Sequence, residues 1–329
     1  MKRQRGVALL VVLLILAIMM VVATNISSRF QLQLMRTSNL VTLSQGKWYA
    51  MAAEALVSKI LHQDIKDSPT RVHLAQYWAS QGQIFPVEGG TIHGVIHDAQ
   101  GCFNVNSVNS GSTGADAAEP SYAGKVFRQL LINLKVEEFE AAQITDALRD
   151  WIDPNDELVS SLGAEDAWYQ GLKVPYVAAN GPLTDISELR LVRGITPSIY
   201  RRLAPMVCAL PSKEMALNVN TLRPEQLPLV SALFIGQLDA EQSKRLLEVR
   251  PRDGWTGTDL FMNEPLVANA VASSGVAAAV FKQSLGVNSN YFEAKLEVTL
   301  DETKIHVISL FKSNNNKISV IRRQYGGSE

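Results

Sequence analysis

The side chains best placed to do chemistry lie between 140 and 190. That stretch holds ten acidic residues (Glu140, Asp146, Asp150, Asp153, Asp156, Glu157, Glu165, Asp166, Asp185, Glu188) and three basic ones (Arg149, Lys173, Arg190). Carboxylates this dense repel one another unless water or a cation screens them. Asp153, Asn155 and Asp156 put oxygens on a turn stiffened by Pro154, and Glu165-Asp166 follow a glycine-containing loop able to fold back. Oxygen donors suit a hard cation such as calcium, which takes 6–8 of them at about 2.3–2.6 Å. The expected ligands are Asp153, Asp156, Glu165 and Asp166, with Asp150 and Asn155 as further candidates. The spacing is not that of an EF-hand. From the residues alone, the alternative is a solvated acidic face whose aspartates cap helices.

The other reactive groups are sparse. Cys102 and Cys208 are the only cysteines. They are either bridged, closing a loop of about 105 residues for roughly 4–5 kcal/mol in the chain-entropy model, or two separate buried thiols; a bridge is expected. His93 and His97 share a parity on an expected strand and read as a surface pair, with no third ligand in view. The acidic window contains no histidine, so a hydrolytic zinc centre is not expected. The chain has no G-x-S-x-G, H-E-x-x-H or phosphate loop. Glu165 and Asp166 are adjacent and point different ways, which does not suit a glycosidase pair. With 31 basic and 32 acidic residues in 329, no global positive field favours nucleic acid. An apolar share of 47% is enough for about two packed domains.

The elements that must position these groups begin at the N-terminus. Lys2, Arg3, Arg5 and Gly6 lead into an unbroken apolar run from Val7 to Ala23. Such a run crosses most of a bilayer, and the preceding basic residues keep the N-terminus cytoplasmic. Three readings fit: a cleaved secretory signal, a plain anchor, or a leader cut after Gly6 that leaves the apolar run on the mature chain. From 29 to about 61 a loose apolar stripe without proline continues the helix, giving roughly 55 residues and about 80 Å. A hairpin is expected over 91–108 with its turn near 98–101, and a linker or mobile loop over 109–124. Helices are expected at 125–134, 137–150, 186–192, 197–204, 224–234 and 240–249, with more over 254–279. Strands are expected at 291–300, 304–311 and 317–323. The simplest packing sets all the strands in one sheet against the stem helix, with the helical block inserted between strands.

The leader Arg5-Gly6/Val7, Gly101-Cys102-Phe103-Asn104-Val105-Asn106, Asp150-Trp151-Ile152-Asp153-Pro154-Asn155-Asp156, Gly163-Ala164-Glu165-Asp166-Ala167-Trp168-Tyr169, Glu188-Leu189 with Gly194-Ile195, and Asn218-Val219-Asn220-Thr221 occur in that order. As a set they resemble the minor pseudopilin K family of type II secretion systems. The resemblance implies an α+β, pilin-like fold, a long N-terminal helix packed on an antiparallel sheet, with a large α-helical insertion domain. Its parts would be a leader at 1–6, a membrane segment at 7–28, a first pilin-like part at 29–108, the insertion at 109–285 with two helix-hairpin-helix-like units, and C-terminal strands at 286–329. It implies cleavage by a prepilin peptidase between Gly6 and Val7, with N-methylation of Val7. It further implies bound structural calcium, no catalysis, and a periplasmic place at a pseudopilus tip, anchored in the inner membrane beside minor pseudopilins I and J and further pseudopilins. Most pseudopilins carry a glutamate where this chain has Val11. A subunit without it tolerates having no subunit ahead, the situation at a tip. Two rivals remain: a generic membrane-anchored periplasmic protein, and a DNA-binding protein of a competence-like pilus, since helix-hairpin-helix turns can grip phosphates.

Overall fold

The computed structural model describes residues 7–80, 82–111, 119–314 and 317–326, apart from the side chain of Gln83. Gly6 and the rest of the leader lie outside the described residues, as do 112–118 of the expected linker.

Helix α1 runs unbroken from Val7 to Asp67. Its 61 residues extend about 90 Å. From Val7 to Ala23 it is apolar all round and exposed, with a window long and apolar enough to cross a membrane. Burial starts at Gly46 and recurs at Ala50, Ala53, Val57 and Leu61, the spacing of one helical face. The helix ends at Asp67, just before Ser68-Pro69, and Asp64 in its last turn is a junction. Its carboxylate accepts from the Trp78 (2.8 Å) and Tyr77 (3.2 Å) backbone amides. Gly46 sits where a Cβ would stand 2.0 Å from the Ile305 side chain, so helix and sheet touch closely there.

That sheet has five antiparallel strands in the order β1-β2-β7-β8-β9: β1 Gln83–Val87, β2 Gly90–Asp98, β7 Tyr291–Leu300, β8 Thr303–Asn314 and β9 Lys317–Tyr325. Ile92, Ile96, Phe292, Leu296, Val298, Ile305, Val307 and Phe311 make the core with α1. An ion pair between buried Glu54 and exposed Arg323 fixes the helix to the sheet. Glu54 receives both Arg323 nitrogens, Nε at 2.6 Å, and the Ser309 hydroxyl at 2.5 Å.

The hairpin expected over 91–108 is not formed. Its first strand is β2, which pairs with β1 through a turn at Glu88-Gly89, where Gly89 has φ +80°. After Asp98 the chain leaves the sheet, and Phe103, Val105 and Val108 join a second, larger core. The linker expected over 109–124 is also shorter than that. Ser121 caps a helix that already includes Tyr122–Gly124, and Asn109 bonds the buried Arg149.

The insertion is a tandem of two similarly built units. In the first, β3 (Phe103–Asn104) pairs in parallel with β4 (Val207–Cys208). Between them lie α2 (Tyr122–Asn133), α3 (Glu138–Ile152), α4 (Asp166–Gln170), a 3₁₀ turn at Ile186–Leu191 and α5 (Pro197–Leu203). In the second, β5 (Leu217–Asn218) pairs in parallel with β6 (Leu285–Gly286). That pair encloses α6 (Leu227–Leu233), α7 (Ala240–Glu248), α8 (Thr258–Met262), α9 (Pro265–Ser273) and α10 (Ala278–Gln283). Each unit opens on Asn-Val-Asn. Asn104 and Asn218 each accept from the amide two residues on. Asn106 and Asn220 each bind backbone on a distant segment, Leu183 and Trp255 respectively. The two cores together give the pilin-like fold with a helical insertion that the sequence implied.

Candidate functional site

Two polar centres stand out, one at the root of the insertion and one in its first unit. At the root, Asp98 ends β2 and is buried. Its Oδ2 accepts from Thr221 Oγ1 (2.6 Å), Ser289 Oγ (2.7 Å) and Asn218 Nδ2 (3.0 Å), and its Oδ1 from the Gln100 amide (2.8 Å). Burial raises its pKa, against the pull of those four donors. The same Asn218 amide reaches the Val72 carbonyl (3.2 Å). One carboxylate thus joins the sheet, the second helical unit and the strand that returns from it. Nothing in the sequence links these positions, and sequence reasoning missed the cluster.

Nearby, Cys102 and Cys208 form a disulfide with a Cα–Cα distance of 5.9 Å. The expected bridge is formed; it ties the residue just before β3 to β4, the end of the first unit. Both half-buried cysteines line a cleft of about 820 Å³ between that unit and the outer face of the sheet.

The acidic stretch is built outward from the end of α3. Arg149 is wholly buried and holds Asp146 (3.2 Å), Asn109 (3.1 Å) and the Glu119 carbonyl (3.4 Å). Asp146 in turn accepts from Ser160 Oγ (2.6 Å). Pro154 stops the helix, and the chain folds round Asp150. The Asp150 oxygens accept from the Val159 (2.9 Å) and Ala164 (2.7 Å) amides. Gly163 is required there, since a Cβ on it would meet Asp150 Oδ2 at 2.0 Å. Burial, opposed by those amides and assisted by Asp153 and Asp146, raises the Asp150 pKa to about 6.

Glu165 follows, only 6% exposed. Neither of its carboxylate oxygens has a hydrogen-bond partner among the described residues. Burial raises its pKa to about 7, helped by the charges of Asp150, Asp153, Asp156 and Asp166. Burial also raises Asp153. A second orphan stands close by in the chain network: Asn180 donates to Asp156 Oδ1 (2.7 Å), and its own Oδ1 is buried without a partner.

The expected ligands therefore divide. Glu165, Asp153 and Asp156 act on one another electrostatically; Glu165 has neither oxygen partnered among the described residues, while Asp153 Oδ1 accepts from the Asn155 amide (3.4 Å) and Asp156 Oδ1 from Asn180. Asp150 is taken up by two backbone amides. Asp166 gives Oδ1 to the Ala178 amide (2.8 Å), and Asn155 turns to the Glu157 amide (2.8 Å). Asn180 was missed, because an isolated amide in a loop carries no sequence signal. Among the described residues no three His, Cys, Asp or Glu side chains already converge as a metal cage. The unpartnered atoms of Glu165 and Asn180 are oxygens, the donor chemistry of a hard cation, while the indole nitrogen of Trp151 is buried without a partner as well.

Two arginines of the first helix-hairpin-helix-like unit lie on aromatic rings, Arg193 half-buried and Arg190 exposed. The Arg193 guanidinium lies over Trp168 (5.2 Å) and donates to the Gly163 carbonyl (2.9 Å); Arg190 covers Tyr200 (5.0 Å). These contacts hold the first unit together.

Two family models, both described as type II secretion system (T2SS) protein K, match residues 101–212 and 217–288, one on each helical unit. Among curated relatives, the type II secretion system protein K of Aeromonas hydrophila is 46% identical, covering 100% of this chain and 99% of its own length. That of Pectobacterium carotovorum is 43% identical over 99% and 98%, and that of Pseudomonas aeruginosa 31% over 99% and 94%. Among solved structures, a chain of the GspK-GspI-GspJ complex from the enterotoxigenic Escherichia coli type 2 secretion system aligns with a TM-score of 0.80 at 35% identity. It covers 89% of this chain and 100% of that one.

Proposed function

As a member of the type II secretion system protein K family this chain is a minor pseudopilin, and we propose that it caps the tip of a periplasmic pseudopilus without catalysing a reaction. The observation that supports this most directly is the placing of a bulky two-unit insertion on a stem that is one continuous helix with an apolar, membrane-length segment. A subunit stacked above would collide with the insertion. The stem lets the same chain stand in the inner membrane, N-terminus cytoplasmic and folded part periplasmic. The relative from enterotoxigenic Escherichia coli was solved with proteins I and J, and minor pseudopilins I and J are the partners inferred here. The processing step proposed is prepilin-peptidase cleavage between Gly6 and Val7 with methylation of Val7. Mass spectrometry of the mature chain from membranes with an intact peptidase tests it: N-methyl-Val7 at the terminus supports the reading, and a chain starting at Met1 or cut near Ala23 overturns it.

The acidic loops are proposed to hold structural calcium through Glu165, Asp153 and Asp156, with the Asn180 carbonyl oxygen beside them and Asp166 contributing its remaining oxygen. The ion would cancel the repulsion among these carboxylates and bind the loops on either side of α4 to the end of α3. Asp150 and Asn155 serve the loop's own hydrogen bonds. Calorimetric titration of the full chain with calcium tests this: saturable binding that Glu165→Gln abolishes is expected, and unchanged binding in that variant removes the site.

A further inference from the structure

The five-stranded sheet has two edges, and they are unlike. One is β1, five residues long and interrupted by Pro86, which has no amide hydrogen to offer. The other is β9, nine residues reading Lys-Ile-Ser-Val-Ile-Arg-Arg-Gln-Tyr, without proline or glycine. None of its residues is buried. On its inner side β9 is paired with β8 from Lys317 to Tyr325. Outside that ladder, no main-chain hydrogen bond of β9 is found among the described residues. A regular edge with unpaired amides and carbonyls is a template for one more strand.

What can add there is set by the side chains. The bulge between Leu310 and Phe311 divides β9 in two. Toward α1 lie Ile318 and Val320, packed on the sheet core, then Arg323 on Glu54 and Tyr325 beneath Lys47. On the outer side Lys317 and Ser319 are exposed, and Arg322 and Gln324 line the wide cleft, with Gln324 donating to Asp185 (2.9 Å). The strand carries three basic residues and no acidic one. Such an edge discourages a second copy of itself, because like charges would meet. It favours a strand whose outer side chains are acidic. Ile318 and Val320 on the other face favour apolar residues between the acids.

We propose that β9 is a docking edge for an extended segment of another protein in which acidic and apolar residues alternate. The segment continues the sheet through main-chain hydrogen bonds. Its carboxylates stand against Lys317 and Arg322, and its apolar side chains lie beside Ile318 and Val320. The contact needs neither the tip position nor a bound cation, so it stands apart from the readings above.

The test uses the full chain in detergent and a fluorescein-labelled synthetic nonapeptide of alternating glutamate and valine. Fluorescence polarisation should show saturable binding. The same peptide N-methylated throughout keeps its charge and loses its main-chain donors, and should bind about tenfold more weakly. A peptide with lysine in place of glutamate should not bind. Lys317→Glu should weaken binding of the glutamate peptide about tenfold while thermal unfolding stays unchanged. Hydrogen exchange locates the contact: the peptide should slow the amides of β9 and leave those of β1 as they were. Binding that survives N-methylation is charge attraction alone and overturns the proposal. Slowed exchange at β1 or in the helical units instead of β9, or no saturable binding, overturns it as well. So does protection of β9 that grows with protein concentration in the peptide-free chain, the mark of a second copy on the edge.

Discussion

Asp98 and Glu165 are both buried carboxylates in the same chain, yet they stand in opposite conditions. Four donors from three segments converge on Asp98. Glu165 has none and sits among other carboxylates. Burying a charge without partners is costly, and hydrogen bonds to a charged group contribute about 1.5–3 kcal/mol each at best. The first site is therefore complete and holds the architecture together. The second has no donors among the described residues, which supports the cation proposed there. Burial alone does not separate the two carboxylates; the accounting of donors does.

The contrast can be tested in order of size. Asp98→Ala removes the acceptor shared by Asn218, Thr221, Ser289 and the Gln100 amide and should lower unfolding free energy by about 4 kcal/mol, with or without calcium. Denaturant unfolding in chelator and in calcium reads both values, and a cost that appears only in one condition would break the contrast. At the other site, calcium at 100 times its dissociation constant should stabilise the protein by about 2.7 kcal/mol. Chelator should remove that gain, as a thermal scan would show. In chelator, Glu165→Gln should raise stability by about 1 kcal/mol, because it deletes an uncompensated charge. The same substitution should lower stability in calcium, and a loss in both conditions would make Glu165 another structural acid.

The smallest effect concerns His97, one residue before Asp98 on β2. Burial, with Arg223 and Lys295 nearby, lowers its pKa to about 4. The unfolded chain then binds a proton near the ordinary value of 6.5 that the folded chain refuses. Stability is complete above that pH and declines as pH falls from 6.5 toward 4. His97→Gln should remove about 1 kcal/mol of this decline, measured as the difference between variant and parent at pH 7.5 and 4.5.

The last three strands were readable because apolar and polar residues alternate along them, and β7 has the expected ends, Tyr291 and Leu300. The helices of the insertion were readable from their caps and glycines; Gly194 and Gly236 both have positive φ between helices. The hairpin at 91–108 was misread because Asp98–Gly101 has turn-like composition, while the real turn at Glu88-Gly89 is followed by Gly90, pressed against the Thr299 carbonyl. β1 was missed because Pro86 interrupts its pattern; an edge strand tolerates a missing donor. The acidic loops were found by charge density, but which oxygens stay free depends on backbone amides such as those of Val159, Ala164 and Ala178, and a side-chain pattern does not report them. The Asn-Val-Asn repeat was visible as letters, and its meaning as the opening of two similar units came only with the short parallel pairs.

The insertion leaves β2 after Asp98 and returns to β7, where Asp98 stands opposite Phe292. Ser289 and Asp98 are 191 positions apart in sequence and hydrogen-bonded in space. Pairing strands so distant is slow when the intervening chain is loose, because loop closure precedes any reward. If the helical units, rich in local contacts, form first, they bring their own two ends within one strand spacing. To the sheet, the whole insertion then behaves as a tight hairpin turn, and the order of folding becomes helices before strands.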